Sequence, residues 1–236
     1  MRVLTWNLFH GRAVPPAGRP LLHEFAATLA GWEWDVALLQ EVPPWWPPLL
    51  ARACGADART VLTSRNALLP LRRAIASRRP DLLRSNGGGA DSILVRPPLR
   101  IAAHARRRLR VWPERRVVHA VLVDGMWVGN VHAEPPHPGE TPGPAGPPLD
   151  VALALGRMEA WATGSGPVLL GGDLNLRPAA VDATLPTGWS RLASRDVDHL
   201  LGRGVVAAGP SSRPDRGPLS DHPALAVDVA IPAAPD

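Results

Sequence analysis

The chain contains no lysine and no tyrosine, and its 236 residues include one cysteine, Cys54. A single thiol excludes an intramolecular disulfide and any metal site built from several cysteines. Without lysine, the chain cannot form the phosphate-binding P-loop of nucleotide hydrolases. No apolar run approaches the roughly 20 residues needed to span a bilayer, and the first residues, MRVLTWN, have the pattern of a strand rather than a secretory signal. We therefore expect a cytoplasmic protein without a membrane span.

The positive charge of the chain comes from arginine alone, with 26 arginines and a formal net charge of +5. Such an excess is typical of proteins that bind polyanions, including nucleic acids. Alanine, glycine and proline are also abundant, so we interpret the arginines mainly as part of a compositional bias. A selected polyanion-binding surface is the alternative interpretation.

The length and the alternation of elements favour one α/β domain over residues 1–236, which we expect to be monomeric. The patterns of Val3–Trp6, Leu21–Ala30 and Val36–Leu39 predict a strand, an amphipathic helix and a second strand. A surface helix or two is predicted within Asn66–Arg84, and the proline-rich loop Ala133–Pro148 is expected to form a functional rim. Further strands and one long helix are predicted at Asp91–Val95, Arg100–Leu109, Arg115–Val123, Trp127–His132, Leu149–Ala162 (the helix), Pro167–Leu170, Asp196–Leu201, Val205–Ala208 and Ala224–Val229.

The stretch GPVLLGGDLNLRP, at residues 166–178, is central to the interpretation. Its continuous apolar run predicts a short strand that is buried on both faces. Two glycines follow, which allow the backbone to bend and to approach a neighbour closely. Asp173 and Asn175 come next, so we expect them at the carboxyl end of the strand, where open α/β sheets usually carry their chemistry.

Polar residues also follow other predicted strands. Together with Asp173 and Asn175, they are Asn7, Glu41, His132, Asp198, Asp221 and His222. Carboxylate and amide oxygens without thiols suit a hard cation such as Mg²⁺ or Mn²⁺. A histidine beside a carboxylate offers a proton donor held by an orienting partner. This inventory indicates hydrolysis of a phosphate ester, with a metal to screen charge and a base to position water.

Two of these residues have an open alternative. Asp196 lies two residues before Asp198, and a shift of the predicted strand would exchange their places. Asn7 could simply cap a turn.

Six short motifs occur in order along the chain. They are TWN at Thr5–Asn7, LQE at Leu39–Glu41, NVH at Asn130–His132, GDLN at Gly172–Asn175, DH at Asp198–His199 and SDH at Ser220–His222. Together they resemble the motifs of the endonuclease/exonuclease/phosphatase family, which includes pancreatic-type deoxyribonucleases, apurinic endonucleases, sphingomyelinases and inositol-polyphosphate phosphatases. The resemblance extends from Asn7 to His222.

The resemblance implies an α/β (α+β) fold: a four-layered α/β sandwich of two packed mixed, mostly antiparallel β-sheets flanked by helices, with the site at one edge. It also implies a metal site. Glu41 would bind Mg²⁺, or Mn²⁺, with Asn7 beside it and Asp221 sharing the metal.

The resemblance implies catalytic roles as well. Asp173 would orient or deprotonate the attacking water, and Asn175 would hold that water or a phosphate oxygen. His222, braced by Asp198, would donate to the phosphate in the transition state. His132 would bind or protonate on the leaving side.

The sequence therefore predicts a divalent-metal-dependent phosphoesterase that hydrolyses a phosphodiester by in-line attack of an activated water. Its expected partner is a phosphate-ester substrate, with nucleic acid among the candidates. One alternative is a phosphomonoesterase or lipid-headgroup hydrolase on the same site. Another is a catalytically silent nucleic-acid-binding module of the same fold. The absence of tyrosine argues against an apurinic endonuclease, and the absence of paired cysteines argues against a secreted deoxyribonuclease or sphingomyelinase.

Overall fold

The computed structural model describes residues 1–64, 66–79, 82, 89–136, 146–163 and 166–232. The strands in this part of the chain are β1 (Arg2–Asn7), β2 (Val36–Val42), β3 (Asp57–Thr63), β4 (Gly89–Val95), β5 (Ala103–Arg110), β6 (Arg116–Val123), β7 (Met126–His132), β8 (Val168–Asp173), β9 (Trp189–Arg195), β10 (Asp198–Arg203), β11 (Val206–Ala207) and β12 (Leu225–Ala230). The α-helices are α1 (Leu22–Gly31), α2 (Pro47–Cys54), α3 (Leu69–Ala76), α4 (Pro147–Trp161) and α5 (Pro178–Asp182), and a 3₁₀ turn spans Phe9–Gly11. None of the described helices combines the length and the hydropathy needed to cross a membrane.

The strands form two six-stranded sheets, in the orders β11-β12-β1-β2-β4-β3 and β5-β6-β7-β8-β10-β9. Each sheet contains one parallel pair, β1 with β2 and β7 with β8, and its other neighbours are antiparallel. Parallel neighbours need a crossover connection, which α1 supplies in the first sheet and α4 in the second. The predicted mixed, mostly antiparallel sheets are therefore confirmed.

Three apolar clusters hold the layers together. Phe25 and Leu29 of α1 pack on the outer face of the first sheet, and Val151 and Leu155 of α4 pack on the outer face of the second. Between the sheets, alternate residues such as Leu38 meet the apolar residues of the opposing strands. The resulting order of helix, sheet, sheet and helix is the predicted four-layered sandwich.

The two glycines of the GDLN stretch are required by the packing of β8. A Cβ on Gly172 would lie 1.9 Å from the carbonyl oxygen of Val131, and Gly172 has φ +139°. A Cβ on Gly171 would lie 2.4 Å from Leu200 and 2.7 Å from Leu38 of the opposite sheet. Only glycine permits this approach, which places Asp173 beside the end of β7.

The structure differs from the sequence prediction mainly at the sheet edges. Strands β3 and β9 were not predicted, and both are edge strands, whose half-exposed pattern contains too few apolar residues to be distinctive. The predicted strand at Asp196–Leu201 is also displaced. Strand β10 begins at Asp198, and Asp196 lies in the preceding turn with φ 52°. Most of the predicted rim loop, residues 137–145, lies outside the described residues.

Candidate active site

The two parallel strand pairs end at the same edge of the sandwich, because β1 packs against β8 and β2 against β7. Asn7 is the last residue of β1, and its amide Nδ2 donates a hydrogen bond to Oδ2 of Asp173, the last residue of β8, at 3.0 Å. Glu41 near the end of β2 has Oε1 3.9 Å from Nε2 of His132, the last residue of β7. Glu41, His132 and Asp173 thus line one cleft of about 410 Å³, and Asn7 is buried beside Asp173.

Asp173 is almost completely buried, with 2% of its surface exposed. Its Oδ2 accepts from Asn7, and its Oδ1 accepts from the backbone N–H of Asn175 at 3.0 Å. The Nε2 atoms of His132 and His222 lie 3.6 Å and 3.7 Å from Oδ2. Burial, together with the negative charge of Asp198, raises the pKa of Asp173 to about 7 although His222 opposes the shift. The carboxyl is therefore oriented by two donors and titrates near neutral pH.

His222 is paired with Asp198. Its Nδ1 lies 2.9 Å from Oδ2 of Asp198, a residue that is fully buried at the start of β10. Burial alone would lower the pKa of His222, but the hydrogen bond and charge of Asp198, with Asp173 and Asp221, raise it to about 9. The imidazole is consequently charged at neutral pH, and its Nε2 is directed toward Asp173. Asp196 instead lies on the surface beside Arg195, so Asp198 is the acid in the cleft.

The segment that carries His222 is anchored to β1. The hydroxyl of Ser220 is buried, donates to the carbonyl oxygen of Asn7 at 2.7 Å and accepts from the N–H of His222 at 3.0 Å. The indole N–H of Trp6 donates to the carbonyl oxygen of His222 at 3.2 Å. The serine of the SDH motif thus connects His222 to the strand that ends in Asn7.

Glu41 is held in its ionised form. Its Oε2 lies 2.9 Å from Nε2 of His10, and its side chain is 19% exposed. Burial would raise the pKa of Glu41, but His10, His132 and the side chain of Asn7 together hold it well below the usual range. Asn7 directs its NH₂ group to the carboxylates, and its oxygen accepts from the N–H of Phe9 at 2.9 Å. The site therefore contains two carboxyl groups, that of Asp173 and the ionised carboxylate of Glu41.

His132 differs from His222 in its charge. It is buried, and burial together with the charge of Arg116 lowers its pKa well below the usual value, although Glu41 opposes this. His132 and His222 therefore have different states at neutral pH, with His132 neutral and His222 charged.

Several bordering residues adopt the left-handed backbone conformation that favours glycine. The φ angles are 53° at His10, 50° at Glu41, 50° at Asn175 and 63° at Ser220. For residues with a Cβ, such positions cost about 1 to 3 kcal/mol each and persist where the surrounding structure enforces them. Part of the backbone strain in the described residues thus lies around the cleft.

One wall of the cleft is formed by residues that the sequence patterns did not reveal. Arg116 is buried, and its Nε donates to Glu134 at 2.9 Å while its Nη2 lies 3.2 Å from Glu114. The hydroxyl of Ser64 donates to Glu114 at 3.0 Å. Behind Glu41, burial and the charges of Glu41 and Asp173 raise the pKa of Asp91 to about 8 although Arg116 opposes this. These residues lie in strands or short turns whose sequence patterns are typical of ordinary structural elements. The sequence alone therefore did not identify them as residues of a functional site.

The remaining predicted residues take different positions. Asn175 borders the cleft and donates from Nδ2 to the carbonyl oxygen of Ala133 at 2.9 Å. Asp221 lies at the rim, with 43% of its side chain exposed and Oδ1 3.9 Å from Nε2 of His222. The structure therefore brings seven of the eight predicted residues together and leaves Asp221 at the margin.

A metal ion could be held by Asp173, Asp198 and His222, whose ligand atoms lie within 4.8 Å of one another. The Oδ1 atom of Asp198 is buried and has no hydrogen-bond partner among the described residues, so it has capacity for a cation. The donor set, rich in oxygen and without sulfur, is of the type that hard divalent cations prefer.

The chain belongs to the endonuclease/exonuclease/phosphatase family, whose sequence model matches residues 4–222, and the predicted family is thereby confirmed. Members of this family are phosphoesterase hydrolases that depend on a divalent metal. A search of curated proteins finds no match.

Solved structures with the same fold cover nearly the whole chain. An endonuclease/exonuclease/phosphatase protein from Beutenbergia cavernae DSM 12333 has a TM-score of 0.68 at 17% identity, over 98% of this chain and 71% of that one. D. rerio TDP2 complexed with a single-strand DNA product has a TM-score of 0.67 at 15% identity, over 98% of both chains. The mannosyl-6-phosphatase Bt3783 from Bacteroides thetaiotaomicron VPI-5482 has a TM-score of 0.67 at 15% identity, over 98% and 99%. At these identities the likeness establishes the fold.

Proposed function

We propose that the protein is a divalent-metal-dependent phosphodiesterase that uses in-line attack by a water molecule. The observation that carries the proposal is the convergence in one cleft of Asp173, the ionised Glu41 and His222, which is paired with the buried Asp198 behind it. The likeness in fold to a structure that holds a single-strand DNA product supports a diester as the substrate class.

Asp173 would act as the general base. Asn7 and the N–H of Asn175 donate to different oxygens of its carboxylate and so keep it in one orientation. A pKa of about 7 matches the working range of an efficient base near neutral pH. In the proposed step, the water oxygen bonds to phosphorus while its proton passes to Asp173, and the bond from phosphorus to the leaving oxygen breaks.

The two histidines would have separate roles. His222 is charged at neutral pH and fixed through Nδ1 by Asp198, so its Nε2–H can donate to a non-bridging phosphate oxygen in the transition state, while the leaving oxygen departs as its anion. His132 is neutral, and this favours binding of a phosphate oxygen over protonation of the leaving group.

The residues present fit a divalent cation, and Mg²⁺ or Mn²⁺ is the ion we propose. Glu41 would be the principal ligand, with Asp221 as a further oxygen donor, and Asp173, Asp198 and His222 are an alternative set. Asn7 is better placed to orient carboxylates than to ligate, because its oxygen accepts from Phe9. When bound, the metal would neutralise charge on the phosphate.

The test uses bis-p-nitrophenyl phosphate with Mg²⁺, with Mn²⁺ and with EDTA. We expect EDTA to abolish turnover and Asp173→Asn to reduce kcat by about 10² to 10⁴, the range typical of general base catalysis. Asp215→Asn, at an exposed position, is the matched control and should leave kcat unchanged. Equal rates for the wild type and Asp173→Asn would overturn the proposed role of Asp173, and no turnover by the wild type would favour a catalytically silent binding module.

A phosphomonoesterase or lipid-headgroup hydrolase on the same site is the second candidate. The cleft of about 410 Å³ is in the range of small-molecule sites, and the fold is shared with a mannosyl-6-phosphatase. Faster turnover of p-nitrophenyl phosphate or of a hexose 6-phosphate than of the diester would favour it. A cytoplasmic location and a monomeric state stay predictions from the sequence.

A further inference from the structure

A second cavity, of about 700 Å³, lies between β3 and β5. These are the edge strands of the two sheets on the same side of the sandwich. Its lining includes Arg106, Arg107 and Arg108 of β5 and Arg115 just before β6, together with Thr60 and Leu62 of β3. We call this cavity the arginine groove.

The charge of the arginine groove is not neutralised by the part of the chain that the structure describes. Arg106, Arg107 and Arg108 are exposed, and no carboxylate of the described residues lines the cavity. The neighbouring Arg110 and Arg116 belong to the same hairpin but pair with Asp150 and Glu134. Positive charge is therefore concentrated in the groove.

Both walls contribute to this field. Burial lowers the pKa of His104 on β5, and the charges of Arg59 on β3 and Arg106 on β5 lower it further. A polyanion in the groove would thus meet positive potential from both sheets.

The arginine groove adjoins the catalytic cleft. The backbone N–H of Ser64 donates to the carbonyl oxygen of Arg115 at 3.0 Å. Ser64 and Arg116 line the cleft, whereas Leu62 and Arg115 line the groove. Two short segments, 62–64 and 115–116, therefore separate a basic surface from the proposed catalytic residues.

The composition of the groove favours one kind of polyanion. Among the described residues no aromatic ring lines it, so the groove can contact a sugar-phosphate backbone without stacking on bases. Trp112, in the turn between β5 and β6, is 71% exposed, and such a ring can stack on an unpaired base.

We propose that the arginine groove binds the sugar-phosphate backbone of single-stranded nucleic acid, with Trp112 stacking on a base, and directs the strand to the catalytic cleft. The binding is independent of hydrolysis, and only the delivery of the strand to the cleft rests on the proposed function. Because the contacts are to phosphate, binding is insensitive to base sequence and weakens steeply with salt.

The test measures fluorescence anisotropy of a labelled oligothymidylate of about 12 nucleotides in EDTA, at several salt concentrations. The double variant Arg106→Ser/Arg108→Ser should bind about tenfold or more weakly. It should also reduce the slope of log affinity against log salt by about 1.4, since each lost phosphate contact on a single strand changes it by about 0.7. Trp112→Ala should weaken binding and leave the slope unchanged.

The matched control is Arg157→Ser/Arg213→Ser, which removes the same charge from two exposed positions on α4 and near β12. Equal weakening in both double variants would show a net-charge effect and overturn the proposal. Tighter binding of a duplex, or of anionic phospholipid vesicles, would overturn it as well. Hydrolysis of bis-p-nitrophenyl phosphate is measured separately and should be unchanged in the groove variant. Loss of oligonucleotide binding and loss of hydrolysis are thus distinguishable.

Discussion

His222 Nδ1 lies 2.9 Å from Asp198 Oδ2, so a residue just before β12 of the first sheet is paired with the first residue of β10 in the second sheet. The pair spans the sandwich and is buried on the Asp198 side. Because a buried carboxylate stabilises the imidazolium, the cross-sheet contact determines the charge of the proposed acid.

Asp198→Asn should lower the pKa of His222 from about 9 toward the ordinary histidine value. Burial of the imidazole lowers this pKa, and the substitution removes the carboxylate charge that does most to raise it. We expect kcat on bis-p-nitrophenyl phosphate to fall by about 10²-fold or more. Titration of the imidazole by NMR checks the pKa. Asp196→Asn, two residues away and at an exposed position, is the control. An equal fall in kcat and in the pKa of His222 in this variant would contradict the assignment of Asp198 as the partner of His222.

Glu41→Gln should weaken binding of Mn²⁺ by at least about tenfold, since a neutral amide replaces the ionised carboxylate at the proposed ligand position. Calorimetric titration or the EPR signal of free Mn²⁺ measures this without reference to activity. Glu33→Gln, at an exposed position, should bind like the wild type. Unchanged affinity in Glu41→Gln would instead favour Asp173, Asp198 and His222 as the metal ligands.

Gly172→Ala should destabilise the fold by about 3 kcal/mol or more. The new Cβ would lie 1.9 Å from the carbonyl oxygen of Val131 and would force a φ of +139° on alanine. Urea unfolding measures the difference. Gly156→Ala is the control, because its Cβ would meet nothing within 4 Å on α4 and should stabilise the helix by about 0.5 to 1 kcal/mol.

His119 should make the protein sensitive to acid. It is fully buried, and burial with the charge of His104 lowers its pKa to about 3. The unfolded imidazole titrates near 6.5, so the unfolded state binds the extra proton and stability falls as the pH drops below about 6.5. Between pH 7 and pH 5 the loss from this group is about 2 kcal/mol.

The check on His119 compares urea unfolding at pH 7 and pH 5 for the wild type and His119→Leu. The variant should lose about 2 kcal/mol less than the wild type over this interval. His23→Leu, at an exposed position, should keep the wild-type dependence. Identical pH dependence in all three proteins would contradict the assignment.

Much of the fold was predictable because the buried strands have strong local patterns. The apolar runs around Val36–Leu39 and Val168–Leu170 required cover on both faces, and the structure supplies it with a sheet and a helix. The edge strands β3 and β9 were missed because packing on one face leaves too few apolar residues in the sequence.

The candidate site was predictable only where a polar residue follows such a run. Asn7, Glu41, His132 and Asp173 all stand at the ends of buried parallel strands. His10, Arg116 and Glu134 carry no comparable signal, because their importance arises from partners far away in the sequence. Asp221 had the signal of the SDH motif, yet 43% of its side chain is exposed and its Oδ1 lies 3.9 Å from Nε2 of His222.

Local chemistry in the chain thus specifies the buried strands, the glycines of GDLN and the polar residues at the strand ends, since each depends on neighbours within a few positions. The charge states, the choice of Asp198 over Asp196 and the arginine groove depend on the packing of two sheets. Burial and charges from distant segments change a pKa only once those segments are in contact, and the arginines of β5 face β3 only once the two sheets pack together. No local pattern contains that information.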